Sequence, residues 1–148
     1  MSDERCKPTV TVAAIVERGG RYLLVVEDAP RGPVLNNPAG HLDQGETLLQ
    51  AVVREVLEET ARRFTPTHLV GAYLAPSARG DVTYLRFVFA GEVGEPEPGR
   101  ALDAGILRTV WLSAEEIEAG RARHRSALLA RGIADHRAGC RFPLDLLR

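Results

Sequence analysis

The sequence predicts an α/β chain in which a mixed β-sheet is sandwiched between helices. Three observations predict it. Two short apolar, β-branched runs near the N-terminus, 9–16 and 22–26, read as strands. From about residue 46 to past residue 60, apolar side chains recur at helical spacing, which puts Leu49, Val52, Val53, Val56 and Thr60 on one face. Three more strand-like runs and one or two short helices follow.

The whole chain supports a single soluble domain. Its 148 residues suffice to bury a substantial core. With 45% hydrophobic and 26% charged residues, the composition is that of an ordinary globular protein. A net charge of −1 gives no electrostatic footprint for nucleic acid. No apolar run approaches the roughly 20 residues of a membrane span, and residues 1–8 are charged, without a signal-peptide core. Cys6 and Cys140 lack metal-binding spacing and read as free thiols in a reducing cytoplasm. His41, His68, His124 and His136 are scattered.

In chain order, 9–16 and 22–26 are expected to form a hairpin across the turn 17–20. Residues 29–33 read as a loop and 34–36 as a short strand. A loop containing Gly40, Asp43 and Gly45 runs into the long helix, which is expected to begin near Glu46 or Thr47. Strands are predicted at 67–74, 81–93 and 107–112, the last carrying Trp111. In the second, Leu85, Phe87 and Phe89 read as core, and Arg86 is the odd member of the other face. It reads either as a strand arginine reaching solvent or as a phosphate contact. Ser113 and Glu116 have capping-box spacing, so a short helix is expected to about residue 119. A last helix is predicted over 126–136 with Leu128, Leu129 and Ile133 inward, and residues 142–144 dock on the core. Residues 121–141 hold six arginines, read as a solvated basic face or as a guide for polyphosphate.

The long helix carries the chemistry. Glu55, Glu58 and Glu59 fall within about one turn, flanked by Arg54 and Arg62. Like charges at i, i+3 and i, i+4 oppose a helix by roughly 0.2–0.5 kcal/mol per pair. A divalent cation reverses that sign, and a hard ion such as Mg²⁺ suits carboxylate ligands completed by water and phosphate oxygens. A solvated acidic face is the alternative.

The spacing favours the cation. From Gly40 there are five residues to Glu46, seven more to Arg54–Glu55, then Val56, then Glu58–Glu59. This resembles the signature box of the Nudix hydrolases, Gly-x5-Glu-x7-Arg-Glu-U-x-Glu-Glu with U apolar. The family's box continues with a glycine and, two residues later, an apolar residue; here Ala61 and Arg63 stand there. Ala61 therefore predicts a different helix exit, with an extra half turn.

The resemblance implies a Nudix fold, an α/β/α sandwich, and metal-assisted hydrolysis of an organyl-linked diphosphate. Glu55, Glu58 and Glu59 would hold Mg²⁺, or Mn²⁺ in its place, with one of them helping to deprotonate water. Gly40 would add its carbonyl or leave room, and Arg54 would pair with Glu46 and orient the cluster. Asp103 is a candidate general base outside the box on position alone. A bound cation neutralises phosphate charge and activates water.

Further stretches, Asn37-Pro38-Ala39-Gly40-His41-Leu42, Leu85-Arg86-Phe87, and Trp111 before Ser113-Ala114-Glu115-Glu116, are similar to bacterial phosphatases of that family. They imply action on nucleoside tri- and diphosphates and thiamine-type pyrophosphates by a cytoplasmic monomer or homodimer. The alternatives are another nucleoside diphosphate derivative such as ADP-ribose, or a nucleotide-binding module without turnover.

Overall fold

The computed structural model describes residues 4–148; residues 1–3 of the charged N-terminal stretch lie outside the described residues. In chain order the elements are β1 (Thr9–Ile15), β2 (Glu17–Arg18), β3 (Arg21–Glu27), β4 (Val34–Asn36), β5 (Ala39–His41), α1 (Leu48–Thr60), β6 (Phe64–Pro76), β7 (Thr83–Val93), β8 (Ile106–Ser113), α2 (Ala114–Ala119) and α3 (Ala127–Arg137). Single 3-10 turns occupy Arg121–Arg123 and Leu144–Leu146.

Helices cover both faces of the strand layer, and β1 shows why. Val12, Ala14 and Val16 pack into a core beneath α1, with Ala51, Val52, Val56 and Phe89. Ala13 and Ile15 pack the other way, with Val88, Ile117, Leu129 and Ile133 of the α2–α3 side. A strand buried on both faces reads as a continuous apolar run rather than an alternation. β1 lies between β5, antiparallel, and β7, parallel, while β6 extends the sheet antiparallel to β7. The sheet is mixed, as expected.

A second, antiparallel sheet was not foreseen. In it β3 pairs with β2, β4 and β8. The expected hairpin between 9–16 and 22–26 is therefore corrected. The chain leaves β1 at Val16, and the short β2, not β1, folds back on β3 across Gly19 and Gly20. Both glycines have positive φ, 58° and 78°, the left-handed pair that a tight two-residue hairpin needs. β1 is meanwhile occupied by β5 and β7.

Two capping boxes start helices. Thr47 caps α1 with Gln50 reaching back, so Glu46 stays in the preceding loop. Ser113 and Glu116 cap α2 as the spacing predicted. The exit of α1 differs from expectation. There is no extra half turn: Ala61 takes the left-handed conformation, φ 60° and ψ 19°, and its N–H donates to the Leu57 carbonyl. The turn that glycine makes at no steric cost is kept by alanine, whose Cβ resists it. β6 then begins at Phe64, three residues earlier than predicted. Phe142 bridges to Leu69, which ties the C-terminal segment to β6.

Candidate active site

α1 lies with one face on the core and its carboxylates toward β5 and the loop before β8. Glu55 and Glu59 are buried, at 8% and 7% exposure, and Glu58 is half-buried. Their acidic face is thus not a solvated one. Arg54 holds the cluster together. Its Nε and Nη2 donate to the two oxygens of Glu46 at 2.7 and 2.8 Å, a bidentate pair. Nη1 donates to Glu55 at 2.8 Å and Glu58 at 3.2 Å, and Nη2 also to the His41 carbonyl at 3.0 Å. The hydrogen bonds from Arg54 hold Glu46 down at about 2, so it stays ionised.

β5 is the other wall. The Ala39 N–H donates to Glu59 Oε1 at 2.8 Å. Gly40 leaves the space that Glu55 fills: a Cβ there would lie 2.0 Å from Glu55 Cδ. The loop 94–105 closes the third side, because the Asp103 N–H donates to the Glu58 carbonyl at 2.9 Å and the Ile106 N–H to the Asp103 carbonyl at 3.0 Å. Oxygen atoms of Glu55, Glu58 and Asp103 consequently lie within 4.8 Å of one another. Glu59 lies outside that trio, turned to Ala39.

A model of the NUDIX domain matches residues 7–131. The chain belongs to the Nudix family. Phosphatase NudJ of Escherichia coli is 38% identical over 143 residues, spanning 95% of this chain and 91% of that protein. A NUDIX hydrolase from Nitrosomonas europaea is 51% identical with a TM-score of 0.91, covering 96% of this chain and 97% of that one. The MutT protein from Methanosarcina mazei Go1, at 20% identity and a TM-score of 0.73 over 93% of this chain and 99% of that one, shares the fold. The protein is a Nudix hydrolase, an enzyme acting on phosphorus-containing acid anhydrides.

The Nudix carboxylates fit a divalent cation. Burial raises the pKa of Glu55 against the opposing effect of Arg54. Burial also pushes Glu59 up to about 8, despite the Ala39 hydrogen bond and with help from Glu27, Glu55 and Asp103. Buried, mutually repelling carboxylates are the groups whose ionisation a bound cation would favour.

Beside them lies a polar cluster that sequence reasoning largely missed. Arg86 is 7% exposed, which excludes a strand arginine reaching solvent. Its Nη2 donates at 3.5 Å to the side-chain oxygens of both Asn36 and Asn37. Asn36 donates in turn to Glu27 Oε1 at 3.3 Å, and Arg125 Nη1 to Glu27 Oε2 at 2.8 Å. Burial lowers Arg86 to about 10, and Glu27 and Glu59 oppose that shift. Arg86 Nε and Asn37 Nδ2 are buried without a partner. The signal lay in Arg86 on an apolar strand and in Asn36-Asn37 before Pro38. Glu27 and Arg125 are 98 residues apart, and nothing local announces their pairing.

Proposed function

We propose that this Nudix hydrolase is a Mg²⁺-dependent phosphatase, with Mn²⁺ able to substitute, that releases orthophosphate from nucleoside tri- and diphosphates and from thiamine-type pyrophosphates. The convergence of Glu55, Glu58 and Asp103 carries the metal-dependent part of the reading, and the likeness to Phosphatase NudJ over 95% of the chain supports release of phosphate. Glu55, Glu58, Glu59 and the Gly40 carbonyl would hold the metal, which supplies charge neutralisation at phosphate and a more acidic water.

The chain's own groups do the positioning. Arg54 fixes Glu46, Glu55 and Glu58 in one arrangement through four hydrogen bonds and is itself held by a fifth to the His41 carbonyl. The Ala39 N–H orients Glu59. Asp103, exposed beside Glu55 and Glu58, takes the proton of the attacking water on a carboxylate oxygen. The water oxygen bonds to phosphorus, the bridging P–O bond breaks, and the bridging oxygen leaves with the organic phosphate. Arg86, whose Nε is buried without a partner, contacts a substrate phosphate through its guanidinium. The enzyme works in the cytoplasm as a monomer or homodimer, a setting that fits two free cysteines.

The test is phosphate release by the purified protein with Mg²⁺, with EDTA controls and product identification. The panel comprises a nucleoside triphosphate, its diphosphate, thiamine pyrophosphate, the thiamine pyrimidine pyrophosphate and ADP-ribose. EDTA-sensitive orthophosphate from the first four, with little action on ADP-ribose, is expected. Cleavage of ADP-ribose to AMP and ribose phosphate in preference would replace the substrate. Metal binding without turnover on the whole panel would reject the phosphatase reading.

A further inference from the structure

The arginine-rich segment after α2 contributes one residue to the polar cluster, and the way it is held is informative. The Arg125 N–H donates to the Leu35 carbonyl at 2.8 Å, and His124 bridges in parallel to Leu35. Arg123 Nη1 donates to the Pro33 carbonyl at 3.1 Å, and His124 Nε2 lies 2.8 Å from the Ile117 carbonyl. Residues 123–125 are therefore anchored along β4 and back onto α2. From that base Arg125 pairs with buried Glu27, while its own side chain remains 57% exposed.

The result is a continuous chain of groups: Arg125, Glu27, Asn36, Arg86 and Asn37. Within this run of groups two guanidiniums flank the single carboxylate of Glu27, which bonds directly to Arg125 and reaches Arg86 through Asn36. Arg86 also feels the charge of Glu59, so this cationic end abuts the acidic row of α1. An acidic row that takes a cation, beside a cationic end with two unpartnered donors, is complementary to a diphosphate whose two phosphoryl groups differ in charge. A terminal phosphoryl group is close to a dianion, whereas each phosphoryl of a diester-linked diphosphate carries one negative charge.

We infer that Arg125 and Arg86, with Asn37, form the subsite for the terminal phosphoryl group, and that Arg125 selects substrates having a free phosphate end over diester-linked diphosphates such as ADP-ribose. This rests on the phosphatase reading above for its substrate. Arg86 supplies buried donors, Arg125 supplies charge from the solvent side, and Glu27 positions Arg125. Charge-assisted contacts to a phosphate from an arginine fork are among the stronger polar interactions.

The test compares wild type with Arg125→Gln and Arg125→Lys. Removing the charge is expected to raise KM for a nucleoside diphosphate about tenfold with kcat within about twofold. The inhibition constant of inorganic phosphate should rise in parallel, and the ratio of kcat/KM for nucleoside diphosphate over ADP-ribose should fall about tenfold. Lysine should restore part of each effect. Binding of inorganic phosphate, measured by calorimetry, should weaken by the same factor in Arg125→Gln. If wild type releases no orthophosphate, the activity reading fails and the calorimetric comparison still decides the subsite. Unchanged phosphate affinity and unchanged substrate ratio in Arg125→Gln would overturn the inference. So would a loss confined to kcat and Tm, because that is a purely structural role.

Discussion

Replacing Gly40 by alanine probes the geometry at its tightest point. The new Cβ would stand 2.0 Å from Glu55 Cδ and 2.2 Å from each of its oxygens, against the 3.4 Å at which ordinary contacts begin. The Glu55 carboxylate must therefore retreat by about 1.4 Å, the difference between those two distances. It cannot do so without disturbing its 2.8 Å hydrogen bond from Arg54. A displacement of about 1 Å in a catalytic group can cost on the order of 100-fold in rate, equivalent to about 2.7 kcal/mol of transition-state stabilisation. The G40A enzyme should lose at least that factor in kcat/KM for phosphate release. Overpacking should also lower stability by about 1–3 kcal/mol, measured by denaturant unfolding. The double variant G40A/E55A isolates the cause: if the clash is with the Glu55 carboxylate, G40A should cost almost nothing in the E55A background. An equal stability loss in both backgrounds, or G40A activity within about threefold of wild type, would show that Gly40 is not needed to seat the Glu55 carboxylate.

Glu58→Gln should leave the thermal midpoint unchanged and remove at least about 99% of turnover; full activity would remove Glu58 from the metal site. Glu59 has a folded-state pKa near 8, above the ordinary carboxylate value, so its contribution to stability is full below about pH 4.5 and is lost as the pH rises through 8. In EDTA the wild-type thermal midpoint should thus fall relative to that of Glu59→Gln between pH 5 and about 8, and Mg²⁺ should suppress the fall; parallel curves in EDTA would contradict this assignment. Ala61→Gly should stabilise the protein by about 0.5–1 kcal/mol in chemical denaturation by relieving the left-handed alanine, and destabilisation would show that its buried methyl group outweighs the strain.

The local features of this fold were legible because they are written within a turn or two of sequence. The Gly40–Glu59 spacing, the stripe of Val52, Val56 and Thr60, and the Ser113–Glu116 box all appear where expected. What escaped depends on tertiary neighbours. The exchange of hairpin partners at Val16 is decided by β5 and β7 occupying both edges of β1, far along the chain. The burial of Arg86 requires Glu27 to arrive from β3, Asn36 from β4 and Asn37 from the loop just after β4. Asp103 carried only a positional argument, since its approach to Glu58 depends on a loop strapped to α1 by backbone hydrogen bonds from Glu97 to Ala61 and from Asp103 to Glu58. Ala61 shows the converse case: the residue departs from the family's glycine, yet the helix exit persists because that alanine is 4% exposed and packed in place.

The central claim is that the α1 carboxylates hold a divalent cation for hydrolysis. Anomalous diffraction from crystals soaked in Mn²⁺ tests it most directly. A peak is expected about 2 Å from carboxylate oxygens of Glu55 and Glu58, lost in crystals of Glu58→Gln. Enzyme that releases phosphate from a nucleoside diphosphate with Mn²⁺ in solution, but shows no anomalous peak at these residues, would contradict it.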